Sequence, residues 1–296
     1  MMRFTGWTGL AVALATLSTA AVAHADGTPE ERIREARELT RRSSGDLEAQ
    51  LSLVIVLVEE RRAEDALSEL DVLDALAPRD ERSAYWRARA LLALSRPQEA
   101  EEALRDAESP GALELRGQLR EERGERERAL EDYGAARAMR PTLDLDLAAA
   151  RLLERLGRID EAVAVLDEGV RRSSSSVLRE RTAQLARRSG RYPLALRHVD
   201  ALIAVAPSAR WRVLRAGILV DAGRGAEAEA ELDRAARDAD ERVERRPSAL
   251  TLSERARVCI ARGDSDGARR DLEQAIRLAP AWPTARRLLA QVEAGR

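Results

Sequence analysis

The sequence predicts an all-α protein: about seven helix-turn-helix units stacked in a row, with a capping helix at each end. Three observations predict it. Apolar residues make up 45% of the 296, charged residues 34% and aromatics only 3%, the balance of a long-helix or helical-repeat chain and not of a β-sandwich. An Ala followed by apolar residues recurs at Ala66, Ala100, Ala129, Ala162, Ala195, Ala228 and Ala268, with spacings of 34, 29, 33, 33, 33 and 40 residues. Other residues keep register with these alanines. Five positions before five of them stand Gly124, Gly157, Gly190, Gly223 and Gly263; twelve before come Ala88, Gly117, Ala150, Ala183, Ala216 and Ala256, with Val54 the exception.

Taken in chain order, the first 25 residues read as a secretory signal peptide. Arg3 precedes an apolar run from Leu10 to Val22, closed by the small-residue pattern Ala23-His24-Ala25. The run is too short to anchor in a bilayer, and nothing after it approaches 18 uninterrupted apolar residues, so no stable membrane insertion is expected. Residues 29–42 read as a polar capping helix, with Thr28 as N-cap and Glu31 three residues on. In each following unit the Gly ends a helix of roughly 13 residues in the left-handed conformation. The next helix starts within three residues, so the pair must lie antiparallel. The small residue of the first helix and the Ala of the second let the two backbones approach. Pro78, Pro141, Pro207 and Pro280, about twelve residues after the Ala, close their units. The second unit is about five residues short, with a tight exit through Glu108-Ser109-Pro110-Gly111; the sixth has about six extra residues that extend its second helix through 238–242 and should make it project. Ser173 to Ser176 reads as a loop between units, and 283–294 as a final capping helix.

This pattern resembles the tetratricopeptide repeat (TPR), in copies such as Leu113-Gly117-Gly124-Ala129-Tyr133-Ala136-Pro141 and Leu252-Ala256-Gly263-Ala268-Leu272-Ala275-Pro280. Seven copies fall at about 47–80, 81–109, 110–142, 143–175, 176–208, 209–248 and 249–282, flanked by the cap and linker at 26–46 and the cap at 283–296. The resemblance implies a right-handed α-α superhelix, continuous from end to end. The family's bulky aromatic in the first helix is largely missing here, and Arg87, Arg116 and Arg215 stand where Leu is usual, so thinner cores or a local slip of register are expected there.

The residues leave little room for catalysis. Cys259 is the only cysteine, so no internal disulfide can form, and His198 is the only histidine outside the signal segment. That excludes most zinc sites and most Ser-His and Cys-His arrangements. His198 in a second helix reads as an ordinary half-buried residue, against the alternative of a general base or pH sensor. Cys259, between Val258 and Ile260, reads as an inert thiol facing its partner helix. Neighbouring acids such as Glu101-Glu102 and Glu121-Glu122 point about 100° apart on a helix and do not form an acid/base pair. Gly223-Arg224-Gly225 is a repeat turn, not a phosphate loop. The formal charge of −2 argues against a dedicated nucleic-acid binder. Neither an enzyme, a cofactor nor a metal is expected.

What remains is surface. In TPR proteins the first helices line a concave groove for an extended peptide or partner helix. Carried over by repeat register, that implies groove positions at Arg89, Glu114, Gln118, Glu121, Arg151, Arg155, Gln184, Arg187, Arg188 and Arg257. The third copy would supply acid and the fourth and fifth base, and Arg suits an acidic or C-terminal segment. The competing reading is that these are ordinary solvated charges. The family's carboxylate-clamp form relies on Lys and Asn, and neither type occurs in this chain. Tyr85 and Trp211 read as fillers of gaps between repeats, with hot-spot anchoring as the alternative. The expectation is an exported TPR scaffold, periplasmic in a diderm host, that binds a protein or peptide. A self-associating assembly subunit and an accessory subunit of an envelope enzyme are the alternatives.

Overall fold

The computed structural model describes residues 27–294 except Arg79, and the expected signal segment lies outside the described residues. Sixteen helices and no strand occur among the described residues. The cap α1 (Pro29–Arg42) is followed by α2 (Leu47–Glu59) paired with α3 (Ala63–Leu76) and α4 (Glu81–Ala93) paired with α5 (Pro97–Leu104), then by α6 (Pro110–Glu122) and α7 (Arg126–Met139). Next come α8 (Leu143–Arg155) with α9 (Ile159–Ser173), α10 (Ser176–Arg188) with α11 (Tyr192–Val205), α12 (Ala209–Asp221) with α13 (Gly225–Arg245), and α14 (Ala249–Ala261) with α15 (Ser265–Leu278). The cap α16 (Pro283–Ala294) ends the series. Packing divides the chain into two compact units, the first ending at Leu119 and the second starting at Arg120.

One turn geometry follows all seven first helices. At each first-helix end a residue takes positive φ, and the amide of the next residue reaches back to a carbonyl five residues earlier. Arg158 N–H donates to Leu153 O at 2.9 Å, Arg191 to Ala186 at 2.8 Å and Asp264 to Cys259 at 2.9 Å. Gly124, Gly157, Gly190, Gly223 and Gly263 supply the positive φ, between 73° and 81°. The first two turns keep it without glycine: Arg61 and Ser95, five residues before Ala66 and Ala100, sit at φ 60° and 59°. The left-handed conformation costs a side-chain-bearing residue roughly 1–2 kcal/mol, so it is the hairpin as a whole that imposes it.

The expected close approach holds in both units. Ala66, Ala88 and Ala100 in the first, and Ala129, Ala162, Ala183, Ala195, Ala256 and Ala268 in the second, are wholly buried. Around them pack leucines such as Leu57, Leu70, Leu73 and Leu104 in the first unit, and Leu152, Leu166, Leu178, Leu185 and the ring of Tyr133 in the second. Each fully buried leucine contributes about 1.5–3 kcal/mol. The N-terminal cap is the capping box read from sequence: Glu31 N–H donates to Thr28 Oγ1 and Thr28 N–H to Glu31 Oε2.

The departures resolve individually. Helix α5 is only eight residues long, and Arg116 satisfies its end by donating to Leu104 O at 2.8 Å and Arg105 O at 2.7 Å. Arg87 bridges back to Asp71 and Asp74, both at 2.8 Å, and Arg215 reaches Asp200 at 2.7 Å and the buried Glu231 at 3.3 Å. Where a leucine was expected, Arg87 and Arg215 thus make ion pairs and Arg116 makes hydrogen bonds to backbone carbonyls. Helix α13 has the expected extra length, 21 residues, but its added turns are packed: Ala239 and Val243 are buried, beside α14 residues that include Leu252 and Val258.

Candidate protein-interaction surface

In the first unit, Arg89 on α4 donates to Tyr85 Oη at 3.1 Å, and its guanidinium stands 5.4 Å from the Trp86 ring and 5.8 Å from that of Tyr85. Tyr85 and Trp86 meet edge to face at 5.1 Å, and Gly111 lies against Tyr85. Tyr85 thus fills a gap between helices. Glu114 and Gln118 are half-buried on α6.

In the second unit the first helices are linked by a ladder of opposite charges. Glu121, at the end of α6, accepts from the Tyr133 hydroxyl at 3.1 Å, from Arg155 at 2.8 Å and from Arg151 at 3.5 Å. One repeat on, Glu154 of α8 takes Arg181 and Arg188 of α10. Glu180 of α10 accepts from Gln184 at 3.1 Å and pairs with Arg210 of α12, whose guanidinium stacks 4.5 Å over Trp211. Arg187 lies in the notch left by Gly217, where an added Cβ would stand 2.6 Å from its Nη1, and pairs with Asp221, holding that carboxyl below its ordinary range. The backbone amide of Arg210 donates to Glu254 of α14 at 3.1 Å.

Arg257 differs from its neighbours. Its Nε is buried without a hydrogen bond and stands 3.8 Å from Glu254. Burial, reinforced by Arg210 and Arg287, pushes its pKa below the ordinary arginine value, while Glu254 opposes the shift.

The acid and base of these copies therefore face each other across the repeats. Sequence reasoning picked Glu121, Arg151, Arg155, Arg187 and Arg188 but missed Glu154, Glu180, Asp221 and Glu254. The missing signal was charge complementarity at one-repeat spacing: 121 to 155, 154 to 188 and 187 to 221 are each 34 residues apart. Exposed pairs of this kind contribute about 0.2–1 kcal/mol each, but they fix where each guanidinium points.

Of the groups with chemical potential, Cys259 is half-buried, and burial raises its thiol pKa, aided by Asp271 and Asp264. His198 is buried, and burial lowers its pKa against the opposing pull of Asp167. Among the described residues no group of three or more His, Cys, Asp or Glu is placed to hold a metal, and no helix is long and apolar enough to cross a membrane.

Comparison with known proteins agrees with this architecture. A search of curated proteins finds no significant match. Among solved structures, the C-terminal part of a TPR repeat-containing protein from Cytophaga hutchinsonii is 15% identical, with a TM-score of 0.50, over 80% of this chain and 98% of that one. The Naa15/Naa10 structure bound to HypK-THB is 14% identical, with a TM-score of 0.54, over 88% of this chain and 39% of that one. Pseudomonas aeruginosa pilF is 15% identical, with a TM-score of 0.49, over 89% and 99%. The tetratricopeptide repeat profile matches residues 51–112, 115–177 and 181–242, more than half of the sequence, and the chain belongs to the tetratricopeptide repeat family.

Proposed function

We propose that this protein is an exported, non-enzymatic scaffold that binds an acidic or C-terminal protein segment on the first-helix face of its second unit. TPR proteins generally mediate protein–protein interactions, and the fold is typically a scaffold without catalysis. The observation that carries the more specific reading is the row of arginines on α8, α10 and α12, each paired with a carboxylate of the preceding repeat, with Arg257 of α14 following them without a hydrogen bond at its Nε. A guanidinium already pointed by one carboxylate loses less side-chain freedom when it takes a second. Export rests on the residues of the N-terminal segment alone: Arg3, the apolar run and Ala23-His24-Ala25.

Crosslinking and capture from the native envelope test the reading. Arg151, Arg187 and Arg188 changed together to Glu should abolish capture of the partner. Arg151→Gln with Arg155→Gln keeps the Arg188–Glu154 and Arg187–Asp221 pairs and should weaken capture without altering helix content by circular dichroism. A partner retained equally by both variants removes the first-helix face from the account.

A further inference from the structure

Away from the first-helix face, a cleft of about 330 Å³ opens between the second helices α9 and α11, beside the start of α10. Its lining includes three arginines: Arg171 from α9, Arg179 from α10 and Arg197 from α11. Arg171 stands 3.9 Å from Asp167, too far for a hydrogen bond. Among the described residues, Arg179 and Arg197 have no ion-pair partner, in a chain whose arginines are mostly paired. Beneath them lies His198, 4% exposed. Asp167 Oδ1 is 3.0 Å from its Nε2, and its Nδ1 is buried without a hydrogen bond. Such a ring signals a missing partner. Ser174, held at φ 51° in the loop between repeats, adds a hydroxyl to the wall.

Charge identifies the ligand class. Three guanidiniums and one carboxylate leave +2 with His198 neutral, which a dianion balances and a monocarboxylate does not. Guanidiniums also match the fork geometry of phosphate oxygens. We propose that this cleft is a binding site for a small phosphate monoester, gripped by Arg171, Arg179 and Arg197, with His198 and Asp167 as the layer behind it. The groups facing His198 are Asp167 and Arg171 from α9, Arg179 from α10 and Arg197 from its own helix. A dianion neutralises the guanidiniums that repel a second positive charge there. Binding therefore favours a protonated His198, paired to Asp167, and takes up a proton.

The full-length chain is titrated calorimetrically with glycerol phosphate, inorganic phosphate, acetate and a phosphoserine peptide, while the His198 ring is followed by NMR. Glycerol phosphate should bind about tenfold tighter than acetate or better, and should move the His198 titration up by about one pH unit. Arg179→Gln with Arg197→Gln, which breaks no existing pair, should abolish both effects. Asp167→Asn should keep binding but lose most of the proton uptake. Equal affinity for acetate, binding that survives the double substitution, or a His198 titration that phosphate leaves in place overturns the proposal. A phosphoserine peptide that binds about tenfold tighter than the free ester overturns its assignment to a small molecule.

Discussion

Changing Gly169 to Ala should loosen the α8–α9 hairpin, although the same change in the middle of a helix normally stabilises. A Cβ at this position would stand 2.3 Å from Asp146 Oδ2 and 2.8 Å from Leu178 Cδ1. Asp146 cannot simply swing away. It is buried and accepts from Arg137 Nε at 2.6 Å and from Arg172 at 2.7 and 2.8 Å. Better helix propensity contributes about 0.5–1 kcal/mol in favour of Ala. Crowding a packed site costs about 1–3 kcal/mol, and losing either charge-assisted bond costs about 1.5–3 kcal/mol more. Destabilisation wins, by up to about 2.5 kcal/mol from crowding alone and by more if a charge-assisted bond is lost. Gly134, mid-helix in α7 with nothing within 4 Å of an added Cβ, is the control, and Gly134→Ala should stabilise by up to about 1 kcal/mol. Because repeats open locally, urea unfolding should be paired with hydrogen exchange of the α8 and α9 amides. In the background of Asp146→Ala, Gly169→Ala should lose most of its penalty. A Gly169→Ala chain as stable as the Gly134→Ala chain would show that no steric lock joins these helices.

Arg61→Gly and Ser95→Gly should each stabilise the first unit by up to about 1 kcal/mol, since glycine takes their positive φ without strain; thermal unfolding reads the gain. Acidification should weaken the second unit through His198. Its folded pKa lies below the ordinary value of 6.5, so the unfolded chain takes up the proton first, and stability present above about pH 6.5 declines as pH falls toward the folded pKa. Urea midpoints at pH 7.5 and 5.5 should differ by less in His198→Gln. Cys259 should react with a disulfide reagent more slowly than a free thiol at pH 8, because burial holds it protonated, and denaturation should restore the ordinary rate.

The features legible in the sequence were those decided within one helix or across one turn. The recurring Ala foretold seven hairpins, and the Gly five positions before five of those alanines marked the turn, because chain reversal needs one residue at positive φ. The rule is stricter than the glycines revealed: Arg61 and Ser95 obey it too, and only the backbone shows that. Arg87, Arg116 and Arg215 read as flaws when compared with a leucine position. Their partners are carbonyls or carboxylates on the adjoining second helices or just past their ends, 9 to 16 residues away in the chain. Gly169 and Gly217 carried no motif signal, since each answers to a side chain on another helix, Asp146 on the partner helix α8 and Arg187 on α10 of the preceding repeat. Helical periodicity shows which face a residue occupies, but which charge meets it there depends on the next unit in the stack.

That dependence shapes what the first-helix face can bind. A carboxylate arriving at Arg155 or Arg188 meets a guanidinium already engaged by Glu121 or Glu154, each of whose side chains is about one-eighth exposed. A monodentate ligand would have to displace that carboxylate, exchanging one ion pair for another with little net gain. A guanidinium has five donors, however, and the internal pairs between Arg155 and Glu121 and between Arg188 and Glu154 each use a single terminal nitrogen. A partner that spans several repeats can engage the remaining donors without breaking the ladder, whereas an isolated acidic residue gains almost nothing. Affinity should therefore grow with the length of the acidic segment and fall with salt. Arg257 has no carboxylate within hydrogen-bond reach of its buried Nε, so it has the most to gain from an incoming acid. Arg257→Gln should then weaken an acidic partner more than Arg155→Gln does, and equal effects from the two would show that the ladder does not govern binding.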